Sequence, residues 1–172
     1  MSSDDRIKAQ LMTARDLKRT LDRMAQQILE SIDPESAQPA AETFALVGMQ
    51  TRGVHLARRL QRRLREQADI ELPLGLLDVT MYRDDVRLRL EQPQIQTTRI
   101  PFDVTDRHLV LVDDAIIDRQ HRELPIATDI VGRKVPTLPD EEVRVRVEEV
   151  DEEDGVWLVK APSPRSAADE AR

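Results

Sequence analysis

The chain has 172 residues, 40% hydrophobic and 34% charged, with 26 basic side chains against 33 acidic ones and a net charge of -7. That length suits one compact core, and with no run near the ~18 apolar residues of a membrane span and no basic-then-apolar leader, a cytoplasmic protein without a membrane partner is expected. The absence of cysteine excludes disulfides and thiolate chemistry, and His55, His108 and His121 lack metal-ligand spacing, so any metal should be a hard cation held by carboxylates and a substrate phosphate.

Thr13-Ala14-Arg15-Asp16 reads as a helix start, with a hydroxyl to cap early amides and an acid three residues on. Leu17, Leu21, Met24 and Ile28 follow at helical spacing, which puts Arg15, Arg19 and Arg23 along another face. Two prolines, Pro34 and Pro39, break that helix, and Phe44 to Met49 reads as a short buried strand. After Gly53 a second helix turns Val54, Ala57, Leu60 and Leu64 inward and Arg58, Arg59, Arg62, Arg63 and Arg65 mostly outward. Leu74 to Val79 is predicted as the next strand, Tyr82 to Thr98 as a loop or hairpin, and Leu109 to Asp114 as a buried strand ending in paired acids. Val143, Val145 and Val147 alternate with polar residues, and an acidic turn ending at Gly155 leads into Val156-Trp157-Leu158-Val159, a β-hairpin pattern. Residues 1–160 are expected to form one domain, and Ala161 to Arg172 a disordered tail.

Charge is unevenly spread. Asp140 to Asp154 carries nine acids and two arginines, which equals the whole net imbalance, while Arg52 to Arg65 carries six arginines and no acid. Such a local basic face can dock a phosphate backbone, or it can be an ordinary solvated helix surface.

Strands alternating with helices argue for a doubly wound α/β sheet with ligands at the strands' carboxyl ends. Thr51-Arg52-Gly53 falls between a strand and a helix, where amides and a guanidinium can hold a polyphosphate, although an ordinary turn has the same appearance. Asp113 and Asp114 supply acceptors suited to ribose hydroxyls or to magnesium carried by a polyphosphate, or they simply end a strand at a solvated edge.

Taken together, Thr51-Arg52-Gly53, the string Asp78-Val79-Thr80-Met81-Tyr82-Arg83-Asp84-Asp85, the run Leu109 to Asp114 and His121-Arg122-Glu123-Leu124-Pro125-Ile126 closely resemble the PyrR family of bifunctional pyrimidine operon regulators and uracil phosphoribosyltransferases. The resemblance implies a type I phosphoribosyltransferase-like, mostly parallel sheet with a C-terminal β-hairpin. It implies that Thr51, Arg52 and Gly53 hold the pyrophosphate of phosphoribosyl pyrophosphate (PRPP), and that Asp113 and Asp114 take its ribose with Mg carried by PRPP. Arg83 would face the phosphate from a closing loop with Tyr82 as cover. Arg19, Arg23, His121, Arg122 and Arg133 would form an RNA-binding face for the leader mRNA of a pyrimidine operon, under control of uridine nucleotides or PRPP, in a homo-oligomer (dimer or higher).

One stretch departs from the family. Between Asp114 and Asp118 stand only Ala115-Ile116-Ile117, where the family has a 5′-phosphate loop, a helix and another parallel strand. Four residue steps reach at most ~14 Å, whereas a parallel crossover takes a dozen or more residues. The expected fold therefore lacks one crossover. The expected function is a leader-mRNA regulator with uracil phosphoribosyltransferase activity impaired or lost, the alternatives being an active uracil phosphoribosyltransferase and a degenerate relative with neither activity.

Overall fold

A computed structural model describes residues 7–79, 97–118 and 128–160. In chain order these give β1 (Ile7–Met12), α1 (Ala14–Ser31), α2 (Ala40–Thr43), β2 (Phe44–Met49), α3 (Arg52–Ala68), β3 (Leu74–Leu77), β4 (His108–Val112), β5 (Ile117–Asp118), β6 (Arg133–Lys134), β7 (Glu141–Arg146), α4 (Glu148–Asp151) and β8 (Gly155–Lys160).

The first helix begins as its sequence dictates. Thr13 Oγ1 accepts from the Asp16 N–H at 3.2 Å, and Asp16 Oδ2 accepts from the Thr13 N–H at 3.1 Å, a reciprocal cap that satisfies two terminal donors. Leu17, Leu21, Ala25 and Ile28 are buried, while Arg15, Arg19 and Arg23 are exposed. Met24, expected in the stripe, is half-buried and packs at the edge of the core.

Three parallel strands lie in the order β3-β2-β4, with Leu46 opposite Leu74 on one side and Val110 on the other. Helix α3 is the crossover from β2 to β3 and covers one face of this sheet. A Cβ on Gly48 would stand 2.6 Å from Val54 Cα, so that glycine lets helix and strand close up. Leu46 and Val112 on this face join Leu56, Ala57, Leu60 and Leu64 of α3 and the stripe of α1 in a single apolar cluster. Leu56 is buried as well as the four predicted positions because α3 is packed on more than one side.

The C-terminal hairpin forms as predicted, β7 pairing antiparallel with β8 from Glu141–Lys160 to Arg146–Gly155. Its turn contains the short helix α4, and β8 pairs on its far side with β1. Val145, Val147 and Val156 carry this second sheet into the same cluster.

Two strand expectations need correction. Val112 is the last residue of β4 and Leu77 of β3, so Asp113, Asp114, Asp78 and Val79 lie in the loops that follow. Nor is β4 buried: Leu109 is 40% and Leu111 59% exposed, whereas Val112 is 6% exposed. The strand alternates, with Val110 and Val112 toward the core and Leu109 and Leu111 on the face away from α3. Four residues then connect β4 to β5, which pairs with β6 in a two-stranded parallel ladder.

Candidate functional site

The carboxyl ends of β2, β3 and β4 lie side by side, so the loops that follow them converge. The Gln50 N–H donates to the Leu77 carbonyl at 2.8 Å, and the Gln50–Thr51 peptide is cis. Gly53, at the start of α3, presses on the end of β4: a Cβ there would fall 2.4 Å from the Val112 oxygen and 3.0 Å from Asp113 Cα. Its backbone angles are ordinary, so this close approach, and not a special turn conformation, calls for glycine. The Thr51-Arg52-Gly53 loop is thereby held against the Asp113 end of β4.

Between these loops and the hairpin lies a cavity of about 810 Å³, lined by Met49, Gln50, Arg52 and Val79, by Asp113 through Ala115 and Ile117, and by Glu142 through Arg146 with Asp151. The charges within it are extensively paired. Arg52 donates from Nε to Asp151 Oδ2 at 2.8 Å and from Nη2 to Oδ1 at 2.5 Å, a two-pronged contact. Asp151 Oδ2 also accepts from the Val147 N–H at 2.9 Å. The Asp151 hydrogen bond raises the guanidinium pKa most, opposed by partial burial and assisted by the charges of Asp151 and Asp114. Burial pushes the Asp151 carboxyl up, but the hydrogen bonds from Arg52 and Val147 and the Arg52 charge outweigh it and hold the pKa below its ordinary value. Arg144 stands 3.5 Å from Glu142, and Arg146 pairs with Glu153 while stacking 4.9 Å from the Trp157 ring centroid.

Farther along the hairpin turn, Arg59 of α3 holds both Glu149, at 2.6 and 3.0 Å, and Asp154, at 2.8 Å to each oxygen. The acidic run and the arginine helix, which the sequence leaves as separate features, are therefore partners in the fold. Arg59 and Arg63 are half-buried, Arg63 donating to Asp22 at 2.6 Å, so the predicted outward face of α3 is carried mainly by Arg58, Arg62 and Arg65.

A second concavity, shallow and about 410 Å³, runs past Met12, Asp16, Arg19, Thr20, Arg23, Gly132 and Arg133. It brings together Arg19, Arg23 and Arg133, three of the basic residues singled out above. Arg23 Nη2 donates to the carbonyls of Val131, at 3.2 Å, and Gly132, and Arg133 Nη1 donates to the Leu11 carbonyl at 3.0 Å. These arginines thus also tie the β6 segment to α1 and β1. The first cavity and this cleft are neighbours through β5 and β6. Ile117 pairs with Arg133, and a Cβ on Gly132 would fall 2.7 Å from the Ile116 oxygen.

Tyr82, Arg83, His121 and Arg122 lie outside the described residues. Among the described residues no group of three or more His, Asp or Glu converges to hold a metal. Asp113 and Asp114, two of the acids at the cavity, are hard oxygen donors of the kind that suits magnesium. Asp151, Glu142, Arg144 and Arg146 are site residues that sequence reasoning missed. Alternation in β7 signals that Arg144 and Arg146 share a face, but where that face points depends on how the hairpin docks.

Parallel strands with motif loops at their carboxyl ends, facing an antiparallel hairpin across a cavity, define the architecture of a phosphoribosyltransferase. The family described as "Phosphoribosyl transferase domain" matches residues 9–118, and the chain belongs to it. The fold is shared with hypoxanthine phosphoribosyltransferase from Trypanosoma cruzi, with a TM-score of 0.66 at 13% identity over 90% of this chain and 96% of that one. Within that class the chain belongs to the PyrR family. It is 42% identical to the "Bifunctional protein PyrR" of Thermus aquaticus over 89% of this chain and 96% of the relative, and 36% identical to that of Deinococcus radiodurans over 88% and 94%. The first alignment spans 180 positions but takes in 89% of 172 residues, about 153, so about 27 positions have no residue in this chain.

Proposed function

We propose that this protein is a PyrR-like regulator of pyrimidine biosynthesis genes that binds leader mRNA under nucleotide control, with uracil phosphoribosyl transfer impaired. The observation that carries the reading is the cleft in which α1 and β6, far apart in sequence, set Arg19, Arg23 and Arg133 side by side on an exposed surface. Guanidiniums so arranged can contact phosphates and stack on splayed bases. The β5–β6 ladder joins that cleft to the Asp113–Ile117 segment, a short route by which a nucleotide in the cavity would influence RNA. Impairment follows from the four-residue passage from β4 to β5. The family resemblance implies in that passage a loop wrapping the ribose 5′-phosphate, and phosphate binding remote from the anomeric carbon helps orient the sugar for transfer.

The test pairs two assays on the intact chain. Leader-RNA binding should weaken steeply with salt, and Arg19→Ala should lower affinity and reduce the log–log salt slope by about 0.7–0.9 for each phosphate it leaves unneutralised. Salt-insensitive binding, or none, would overturn the regulatory reading. Formation of uridine monophosphate from uracil and PRPP with magnesium should be absent or feeble. A second reading, an active enzyme, is favoured by the retained cavity with Asp113, Asp114 and Arg52 on its wall. Robust turnover abolished by Asp113→Ala would establish it. In that case catalysis rests on positioning and on stabilising the departing pyrophosphate, since no side-chain nucleophile is needed.

A further inference from the structure

Arg52 faces the cavity already holding an anion. The Nε and Nη2 edge that grips Asp151 is one of the two edges on which a guanidinium takes either a carboxylate or a pair of phosphate oxygens. The Asp151 side chain is only 16% exposed, and its Val147 contact anchors it independently of Arg52. Asp113, Asp114 and Glu142 line the same cavity, while Arg144 and Arg146 stand beside Glu142 and Glu153. A polyphosphate entering here meets a wall rich in carboxylates and finds the paired edge of Arg52 occupied.

We propose that Asp151 is a built-in competitor: its carboxylate takes the place of phosphate oxygens on Arg52 in the resting protein and must be exchanged for them when a pyrophosphate-bearing ligand binds. This rests on the reading of Arg52 as the pyrophosphate contact. The turn between β7 and β8 then sets the affinity of the cavity for its anion. Two effects of removing the carboxylate oppose each other. Arg52 loses a partner that orders its side chain, and the incoming anion loses a like charge a few ångströms away. The second wins, because repulsion acts on every charge of the polyanion, whereas the ordering is forfeited anyway when Arg52 changes partners. Once released, Asp151 keeps the Val147 N–H, so the exchange leaves the turn in place.

The experiment is calorimetric titration of magnesium pyrophosphate into the full chain as wild type, Asp151→Asn, Arg52→Ala and the double variant. Asparagine preserves the size of the side chain and an acceptor for Val147. Asp151→Asn should bind about fivefold tighter or more, Arg52→Ala should bind more weakly, and Asp151→Asn should bring little gain once Arg52 is absent. Unchanged or weaker binding by Asp151→Asn, with Arg52→Ala still deleterious, overturns the competitor alone. Binding indifferent to Arg52→Ala, or no binding by any of the four, overturns the pyrophosphate reading of Arg52 and the competitor with it. A measurement on the wild type guards against a variant that misfolds. The Arg52 Nε–H resonance, assigned by its loss in Arg52→Ala, should move when pyrophosphate saturates the site, and a resonance that stays in place counts against the exchange.

Discussion

Gly53 shows how a single missing side chain positions the site. It is the second residue of α3, where alanine would ordinarily add helix stability. Here a methyl group would meet the Val112 oxygen at 2.4 Å and Asp113 Cα at 3.0 Å, both backbone atoms that cannot swing aside. The clash therefore decides the sign. Gly53→Ala should cost about 1–3 kcal/mol in a urea melt and should also weaken magnesium pyrophosphate binding, because relief of the clash moves the start of α3 away from Asp113. A variant as stable as wild type would show that the helix and β4 can separate without strain. The tripeptide Thr51-Arg52-Gly53 marks this loop in the sequence, but the contact that makes its glycine necessary comes from a strand about 60 residues on, visible only once β2 and β4 are paired.

At the scale of elements, the hairpin is clamped to α3 by charge. Burial pushes the carboxyls of Glu149 and Asp154 up, yet hydrogen bonds from Arg59, and at Asp154 from the Glu148 N–H, hold both below their ordinary values of 4.5 and 3.8. Asp151 on Arg52 behaves alike. Carboxylates depressed in the fold favour it wherever they are ionised, so this stabilisation is complete above about pH 5 and is lost as the pH falls through and below 4. Melting temperatures should therefore drop on acidification from pH 6 to pH 3.5. Arg59→Gln should cost about 1–3 kcal/mol at pH 7, a figure limited by solvent screening at the half-exposed Glu149, and should flatten the acid limb. An acid limb of undiminished depth in that variant would place the lost stability elsewhere. The elements themselves were largely legible. The Thr13–Asp16 cap, the stripes of α1 and α3 and the valine alternation of β7 are local patterns with local causes. β1 was not: Ile7 is 51% exposed, most of the strand is exposed, and its pairing with β8 owes little to its own pattern. The partnership of the acidic turn with Arg52 and Arg59 was equally hidden, since each run alone reads as a solvated surface.

For the whole molecule, the face of the three-stranded sheet away from α3 is closed over β2, where Ala45 and Val47 are buried, but open over β4. The connection from β2 to β3 runs through α3 on one face. A right-handed connection from β4 to a parallel strand beyond it, on the side away from β2, would have to run over the opposite face. That face carries Ala45 and Val47 of β2 and Leu109 and Leu111 of β4. Ile100 and Phe102 cover its β3 side, each within 3.3 Å of where a Cβ on Gly75 would stand, but Leu109 and Leu111 remain exposed. The apolar residues of β4 thus retain the pattern of a strand covered on both faces, although only the α3 side is closed, which is why the sequence predicted burial that the fold does not deliver. The energetic consequence is an asymmetry between the two faces of one small sheet. Leu111→Thr removes little buried area and should change stability by less than about 0.5 kcal/mol, whereas Leu46→Ala, on the α3 face and fully buried, should cost about 2–5 kcal/mol. Urea melts of the two variants measure the difference directly. If Leu111→Thr proved as damaging as Leu46→Ala, the face would have to be covered over β4 as well in solution.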